Sequence, residues 1–244
     1  MTKKYSVPPA IKTSNLSKNF GRLKAVKKVD LEIKAGQIFS LIGPNGSGKT
    51  SLLKLLVGLH SPTSGKALIN GYNINLQPIH AKTHLGYVPD NPSGFDYLTG
   101  FELLRLTARI RKLRPPEIDA RITELIEIFD LKPLIHQRLE HYSRGNRQKL
   151  SFLTALISQP KVLIIDEPIV GLDPQSIKIF GDTLRDFAHT GGAVLFATHI
   201  LEFGQQHATH VGVMFHGEII KQTQVRKGTS FKALYKHLTQ PNQH

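Results

Sequence analysis

The sequence predicts an α/β fold, a mostly parallel sheet flanked by helices and interrupted by an all-helical insert. Three observations predict it. An apolar stretch at residues 37–42 runs directly into a glycine-rich loop and then into a leucine-striped segment. From about Leu98 to Ser158 the apolar residues recur at helical spacing alone. After Pro160, short apolar runs resume at Val162-Leu163-Ile164-Ile165, Ala193-Val194-Leu195-Phe196 and Val211-Gly212-Val213-Met214-Phe215.

Bulk properties bound the answer. The 244 residues can bury one α/β core and carry a smaller insert. Hydrophobic content of 40% and charged content of 20% are ordinary for a globular chain. No stretch approaches the roughly 18 consecutive apolar residues that a membrane span needs. The basic first residues lack an apolar run behind them and do not read as a secretory signal. Zero cysteines exclude disulfides and thiolate metal sites, which fits a cytoplasmic chain. The net charge of +14 fits nucleic acid, anionic headgroups or an acidic partner. Its lysines and arginines are scattered, with one modest cluster at residues 109–114 and no base-stacking aromatic repeat. No nucleic-acid partner is expected. If the charge has a partner beyond solvent, it is a negatively charged membrane face.

Along the chain, residues 1–10 read as a disordered lead. Val29-Asp30-Leu31-Glu32-Ile33 alternates and predicts a half-buried strand. The run at residues 37–42 predicts a strand covered on both faces. Leu52, Leu53, Leu55, Leu56 and Leu59 then mark a helix ended by Gly58 and Pro62. In the insert, Leu103, Leu104, Leu106 and Ile110 mark one helix, and Ile122, Leu125, Ile126 and Phe129 a second. Pro115-Pro116 separates them and Pro133 closes the second. A third helix begins near Ser143. The segment after Gly228 reads as a short helix and a polar end.

The loop Gly43-Pro44-Asn45-Gly46-Ser47-Gly48-Lys49-Thr50, followed by Ser51, matches the Walker A pattern. Its glycines let backbone N–H groups converge on phosphate oxygens, and the following helix adds its positive end. Lys49 supplies a point charge for the β- and γ-phosphates, and the Thr50 hydroxyl a ligand for Mg²⁺. Val162-Leu163-Ile164-Ile165-Asp166-Glu167 matches Walker B. Two carboxylates ending a buried strand cost free energy unless used. Asp166 would hold Mg²⁺ through water, and Glu167 would polarise the attacking water as general base. These two motifs establish an NTPase without saying which kind.

Tyr142-Ser143-Arg144-Gly145-Asn146-Arg147-Gln148-Lys149-Leu150 resembles the signature of the ABC ATPase family. Ser143 and Gly145 match its serine and second glycine. Arg144 stands where the first glycine is usual, as in exporter-type members, and Asn146 where glutamine is usual. Further matches follow in the family's order. Phe20 aligns with the aromatic that stacks on adenine, Asp173 lies in the loop that contacts the opposite subunit, and His199 aligns with the switch histidine that reaches the γ-phosphate. The resemblance runs from about Ile11 to about Lys227.

The resemblance implies a P-loop core with an N-terminal antiparallel β-region, spanning residues 11–227, with a helical subdomain at about 92–158 and a tail at 228–244. It implies ATP and Mg²⁺ as cofactors. The partners are a membrane-embedded permease and a second copy of this chain or a paralogue, placing the chain on the inner face of the cell membrane. Its activity would be ATP hydrolysis powering transport, with a lean to export. Two rival readings remain: an ABC ATPase acting on ribosomes or DNA, and a module that grips nucleotide without hydrolysing it. One departure stands out. Asp90 occupies the usual glutamine position, and an anion there is repelled by phosphate unless a metal intervenes. Asp90 is therefore expected to act through Mg²⁺ or its waters.

Overall fold

The computed structural model describes residues 8–239. Most of the expected disordered lead, residues 1–7, and the last residues, 240–244, lie outside them. The chain opens with β1 (Ile11–Phe20) and β2 (Leu23–Ile33), paired antiparallel with Ile11 opposite Ile33. Alternation decides which face β2 buries: Val29, Leu31 and Ile33 are inside, Asp30 and Glu32 outside. Next come β3 (Ile38–Ile42), the glycine loop and α1 (Lys49–Leu56). Leu52, Leu53, Leu55 and Leu56 are fully buried, but Leu59 is 59% exposed. The helix has already ended there, because Gly58 turns to φ +70°.

Four short elements follow: β4 (Ser64–Ile69), β5 (Tyr72–Asn73), α2 (Pro78–Thr83) and β6 (Leu85–Val88). The insert supplies α3 (Gly100–Ile110), α4 (Pro115–Glu127) and α5 (Arg144–Leu156). The core resumes with β7 (Val162–Asp166), α6 (Pro174–His189), β8 (Ala193–Thr198), α7 (Leu201–His207), β9 (His210–Phe215), β10 (Glu218–Gln224) and α8 (Phe231–Thr239). One sheet is antiparallel in the order β2-β1-β4-β5. The other runs β10-β9-β3-β8-β7-β6 and is parallel except at the β9–β10 pair.

The parallel sheet separates two apolar cores. Leu163, Ile165, Val194 and Phe196 point into one core with the insert helices. Val162, Ile164, Ala193, Leu195 and Ala197 point into the other, with α1 and the antiparallel sheet. Both faces of each strand are covered, which is why these runs are apolar without alternation. Phe231 of α8 is fully buried within the first core.

The insert departs from its sequence reading in three places. Pro115 and Pro116 form the first turn of α4 instead of a spacer, a position where a missing N–H costs nothing. That helix stops at Glu127, before Pro133, through a turn in which Asp130 takes φ +50°. In α3 the buried residues are Gly100, Leu104 and Ala108, whereas Leu106 is 38% and Ile110 69% exposed. The helix starts with a reciprocal cap: Thr99 Oγ1 accepts from the Glu102 N–H, and the Glu102 carboxylate accepts from the Thr99 N–H. Aromatic packing fastens the insert to the core. Phe152 of α5 stacks on Phe180 of α6 at 4.0 Å, and Phe203 of α7 joins Phe180 to Phe196 of β8. Each such buried ring contributes about 1.5–3 kcal/mol.

Candidate nucleotide site

The glycine loop lies where β3 hands over to α1, at the carboxyl ends of the parallel strands. Its shape requires glycine. A Cβ on Gly43 would sit 2.2 Å from the Met214 carbonyl oxygen, and one on Gly48 would sit 2.3 Å from that of Ala25. Above Gly46, at φ +77°, there is open space. Residues 45–51 floor a cleft of about 770 Å³ that also includes Asp90 and Glu167. Its other wall is cationic: Arg22, Lys24 and Lys27, near the start of β2, line it with His216. Those cations were missed in the sequence, where they are part of a scattered basic background. They give the net charge of +14 a local focus suited to a polyphosphate.

Lys49 is 7% exposed and curls over its own loop. Its ammonium donates to the carbonyls of Gly43 at 2.8 Å and Pro44 at 3.1 Å. Burial pulls its pKa below the usual lysine range, with Glu167 and Asp166 acting in the opposite direction. Asp166 ends β7, is 2% exposed and bonds the Thr50 side chain. Burial raises its carboxyl pKa, and the charges of Glu167 and Asp90 add to the effect, against the Thr50 bond and Lys49. The nearby Tyr87 phenol is pushed up to about 12, chiefly by burial.

The hydroxyl and carboxylate oxygens of Thr50 and Asp166 are a donor set suited to Mg²⁺, which takes its remaining ligands from water and phosphate. No group of three or more acidic, His or Cys side chains among the described residues could cage a metal alone. A raised carboxyl pKa means that Asp166 contributes stability below its unfolded value, lost as pH rises through its folded one. Charged Asp166 therefore costs the metal-free fold stability at neutral pH. Asp166→Asn is expected to raise the melting temperature of the metal-free chain at pH 7 by about 2–4 °C, on the order of 1 kcal/mol. The gain shrinks as the pH approaches 4. Thermal melts across that range check the sign; a lower melting temperature for the Asn variant at pH 7 contradicts it.

Glu167 follows with φ +50°, a conformation uncommon for a residue with a side chain. Its N–H donates to the Ala197 carbonyl at 2.9 Å. Its Oε2 accepts from Thr198 Oγ1 at 3.2 Å and lies 2.9 Å from His199 Nδ1. His199, just past the end of β8, is thus joined to the cleft through Glu167. Asp90 is half exposed, with its carboxylate 3.5 Å from the Arg144 guanidinium.

The remaining sequence candidates sit apart from this cleft. Ser143 caps α5, its Oγ accepting the Asn146 N–H at 3.2 Å. Gly145 is buried against the 171–173 loop, where a Cβ would lie 2.4 Å from the Gly171 carbonyl oxygen. Asp173 caps α6: its Oδ1 accepts the Ser176 N–H at 2.8 Å and its Oδ2 the Ser176 hydroxyl at 2.7 Å, with Lys149 at 3.2 Å. Those bonds, led by the Ser176 hydroxyl, hold its carboxyl well below the usual range. Phe20 ends β1, 43% exposed, with His60 at its edge and the Lys18 ammonium 5.0 Å from the ring centre. It does not line the cleft, although Arg22 and Leu23 beside it do.

The family model for the ABC transporter matches residues 26–170, more than half of the chain and most of this architecture. The chain belongs to the ABC transporter ATP-binding family. It is 37% identical over 212 residues to the ABC transporter ATP-binding protein YdbJ of Bacillus subtilis, covering 86% of this chain and 68% of that protein. The bacitracin transport ATP-binding protein BcrA of Enterococcus faecalis is 32% identical over 218 residues, or 88% and 69% of the two chains. The phospholipid-transporting ATPase ABCA3 of Rattus norvegicus is 34% identical over 196 residues, which are 80% of this chain and 12% of that much longer one. A solved ATP-binding subunit of an ABC transporter superposes with a TM-score of 0.89 at 28% identity, covering 95% of this chain and 100% of the other. Among the described residues, no helix is long and apolar enough to cross a membrane.

Proposed function

We propose that this ABC ATPase subunit hydrolyses ATP between two copies of itself, or with a paralogue, and so drives a membrane permease, in the export direction. The observation that carries the reading is Glu167, which lines the same cleft as Lys49 and Thr50 and is held by His199 at 2.9 Å. The loop N–H groups and Lys49 bind the phosphates, and Thr50 and Asp166 would hold Mg²⁺. When bound, that ion would supply neutralisation of the phosphate charge. Glu167 orients the attacking water and takes its proton, while His199 positions Glu167 and reaches toward the γ-phosphate. Phe20 stacks on the adenine once nucleotide orders that corner. Ser143 and Gly145 close over the phosphates held by the other copy, and Asp173 meets it beside them.

Two comparisons support the dimer and the direction. A dimeric cassette bound to ADP and Pi shares the fold, with a TM-score of 0.81 at 23% identity. Relatives carry the names bacitracin transport and linearmycin resistance, and resistance is a role that outward movement would serve. For the permease, an apolar groove of about 250 Å³ lies between the 89–95 segment, α3 and α5. Exposed Phe95, Leu106 and Ile110 line it, and Pro89 borders it one residue from Asp90. A short cytoplasmic helix of the permease would bury those side chains and feel the Asp90 segment move. Glu167→Gln tests the hydrolytic step.

On closure the Asp90 carboxylate would leave Arg144 and help hold the Mg²⁺ through water. Asp90→Ala is accordingly expected to raise the Mg²⁺ concentration for half-maximal ATPase about fivefold, near the scale of one partly solvated charge interaction. A Mg²⁺ titration of turnover reads this directly. Unchanged turnover with unchanged Mg²⁺ dependence would remove Asp90 from the mechanism.

A further inference from the structure

The start of α5 carries three donors toward the site segments of its own chain. Arg144 meets Asp90, Lys149 meets Asp173, and between them Gln148 reaches Glu167. The first two are partly solvated ion pairs, a class worth little individually. Gln148 is different. Its residue is 2% exposed, and its Nε2 donates to the Glu167 backbone carbonyl at 3.4 Å.

That carbonyl belongs to the residue whose φ of +50° must be held by its surroundings. The other anchors of Glu167 come from β8 and the residues just after it: the Ala197 carbonyl on its N–H, and Thr198 and His199 on its carboxylate. Gln148 supplies the anchor that comes from the insert.

We infer that Gln148 is a positioning residue for Glu167, acting through the backbone to keep the carboxylate aimed at the attacking water. The inference rests on the reading of Glu167 as the base. It has a structural corollary. Gln148 lies five residues after Ser143 on the same helix, so the element that closes over the other copy's nucleotide also holds this copy's base. Movement of α5 on closure is thereby transmitted to the carboxylate in its own cleft, and each site is tuned by the closure of its neighbour.

The test uses the purified full chain with Mg·ATP and three variants of Gln148. Gln148→Met keeps the volume and removes the donor; Gln148→Glu replaces donor by acceptor; Gln148→Lys restores a donor of similar reach. The Met and Glu variants are expected to lose about tenfold in kcat, with KM and the ATP dissociation constant within twofold of the parent. The Lys variant recovers most of the loss. In nucleotide-free chain, amide hydrogen exchange across residues 166–170 speeds up in the Met variant and not in the Lys variant. Melting temperatures measured alongside separate these effects from a weakened fold, since a merely structural role lowers kcat in step with stability and is not rescued by lysine. Parent kcat and parent exchange in the Met variant overturn the inference while leaving the base intact. If Glu167→Gln itself turns over ATP normally, the reading beneath it fails instead.

Discussion

Glu167→Gln is expected to bind Mg·ATP with parental affinity, to lose at least about a hundredfold in turnover, and to accumulate as a closed dimer. The magnitude follows from what a positioned general base contributes, roughly 10²–10⁴-fold. The substitution keeps the side-chain volume and can still bond Thr198 and His199, which now touch the Glu167 Oε2 at 3.2 and 2.9 Å. It removes proton affinity and little else. Binding is expected to survive because the hydrogen-bond and ion-pair partners of the Glu167 carboxylate are Thr198 and His199, not the loop, Lys49 and Thr50 that are proposed to grip the phosphates. Closure persists because ATP, uncleaved, continues to bridge the two copies. Steady-state ATPase, nucleotide binding and gel filtration with and without ATP separate the three effects. Parental turnover in this variant would move the base to another residue.

Gly145→Ala is the second large effect, and it acts through packing. Its added Cβ would stand 2.4 Å from the Gly171 carbonyl oxygen, backbone against backbone, with no flexible side chain to yield. Gly145 is the second residue of α5 and is not among the glycines at positive φ, so alanine itself fits the local conformation and the clash is isolated. Either the start of α5 or the 171–173 loop must shift. Both belong to the surface proposed to meet the other copy. An overpacking penalty of about 1–3 kcal/mol, spent on misaligning that surface, corresponds to a loss of about tenfold or more in ATP-driven dimerisation and turnover. ATP affinity of the separate chain stays within about twofold, because Gly145 does not line the cleft. Equal dimerisation by parent and variant would show that the 171–173 loop has room to give.

What the sequence reveals follows from how local the chemistry is. The loop at residues 43–50 is legible because its function is written in eight consecutive residues, between a strand and a helix that each announce themselves. The two cores are legible in part: unbroken apolar runs report strands covered twice, but not which residues go to which side. The insert misleads where pattern and packing part company. Leu106 and Ile110 repeat at helical spacing, yet they line a groove open to solvent. The couplings between segments are invisible. Arg144 and Asp90 are 54 positions apart, Gln148 and Glu167 are 19 apart, and no pattern in the chain pairs them. The cationic wall escapes for a related reason, since Arg22, Lys24 and Lys27 converge on the cleft only when β2 passes beside the loop.

The capping of α5 by Ser143 has a consequence for how cheaply the two halves of the machine engage. A hydroxyl carries one proton and two lone pairs, and the cap occupies one lone pair alone, by accepting the Asn146 N–H. The proton stays available for an incoming phosphate oxygen. With Ser143 meeting the other copy's phosphate as proposed, docking exchanges a bond to water for one to phosphate and leaves the cap in place, so the helix never has to choose between holding itself together and holding a ligand. Aspartate or asparagine would cap as well, but aspartate would repel the phosphate and asparagine would need its amide turned outward, away from the helix. Serine lets the same atom serve both states, so engagement leaves the helix end as it was and disengagement has nothing there to rebuild.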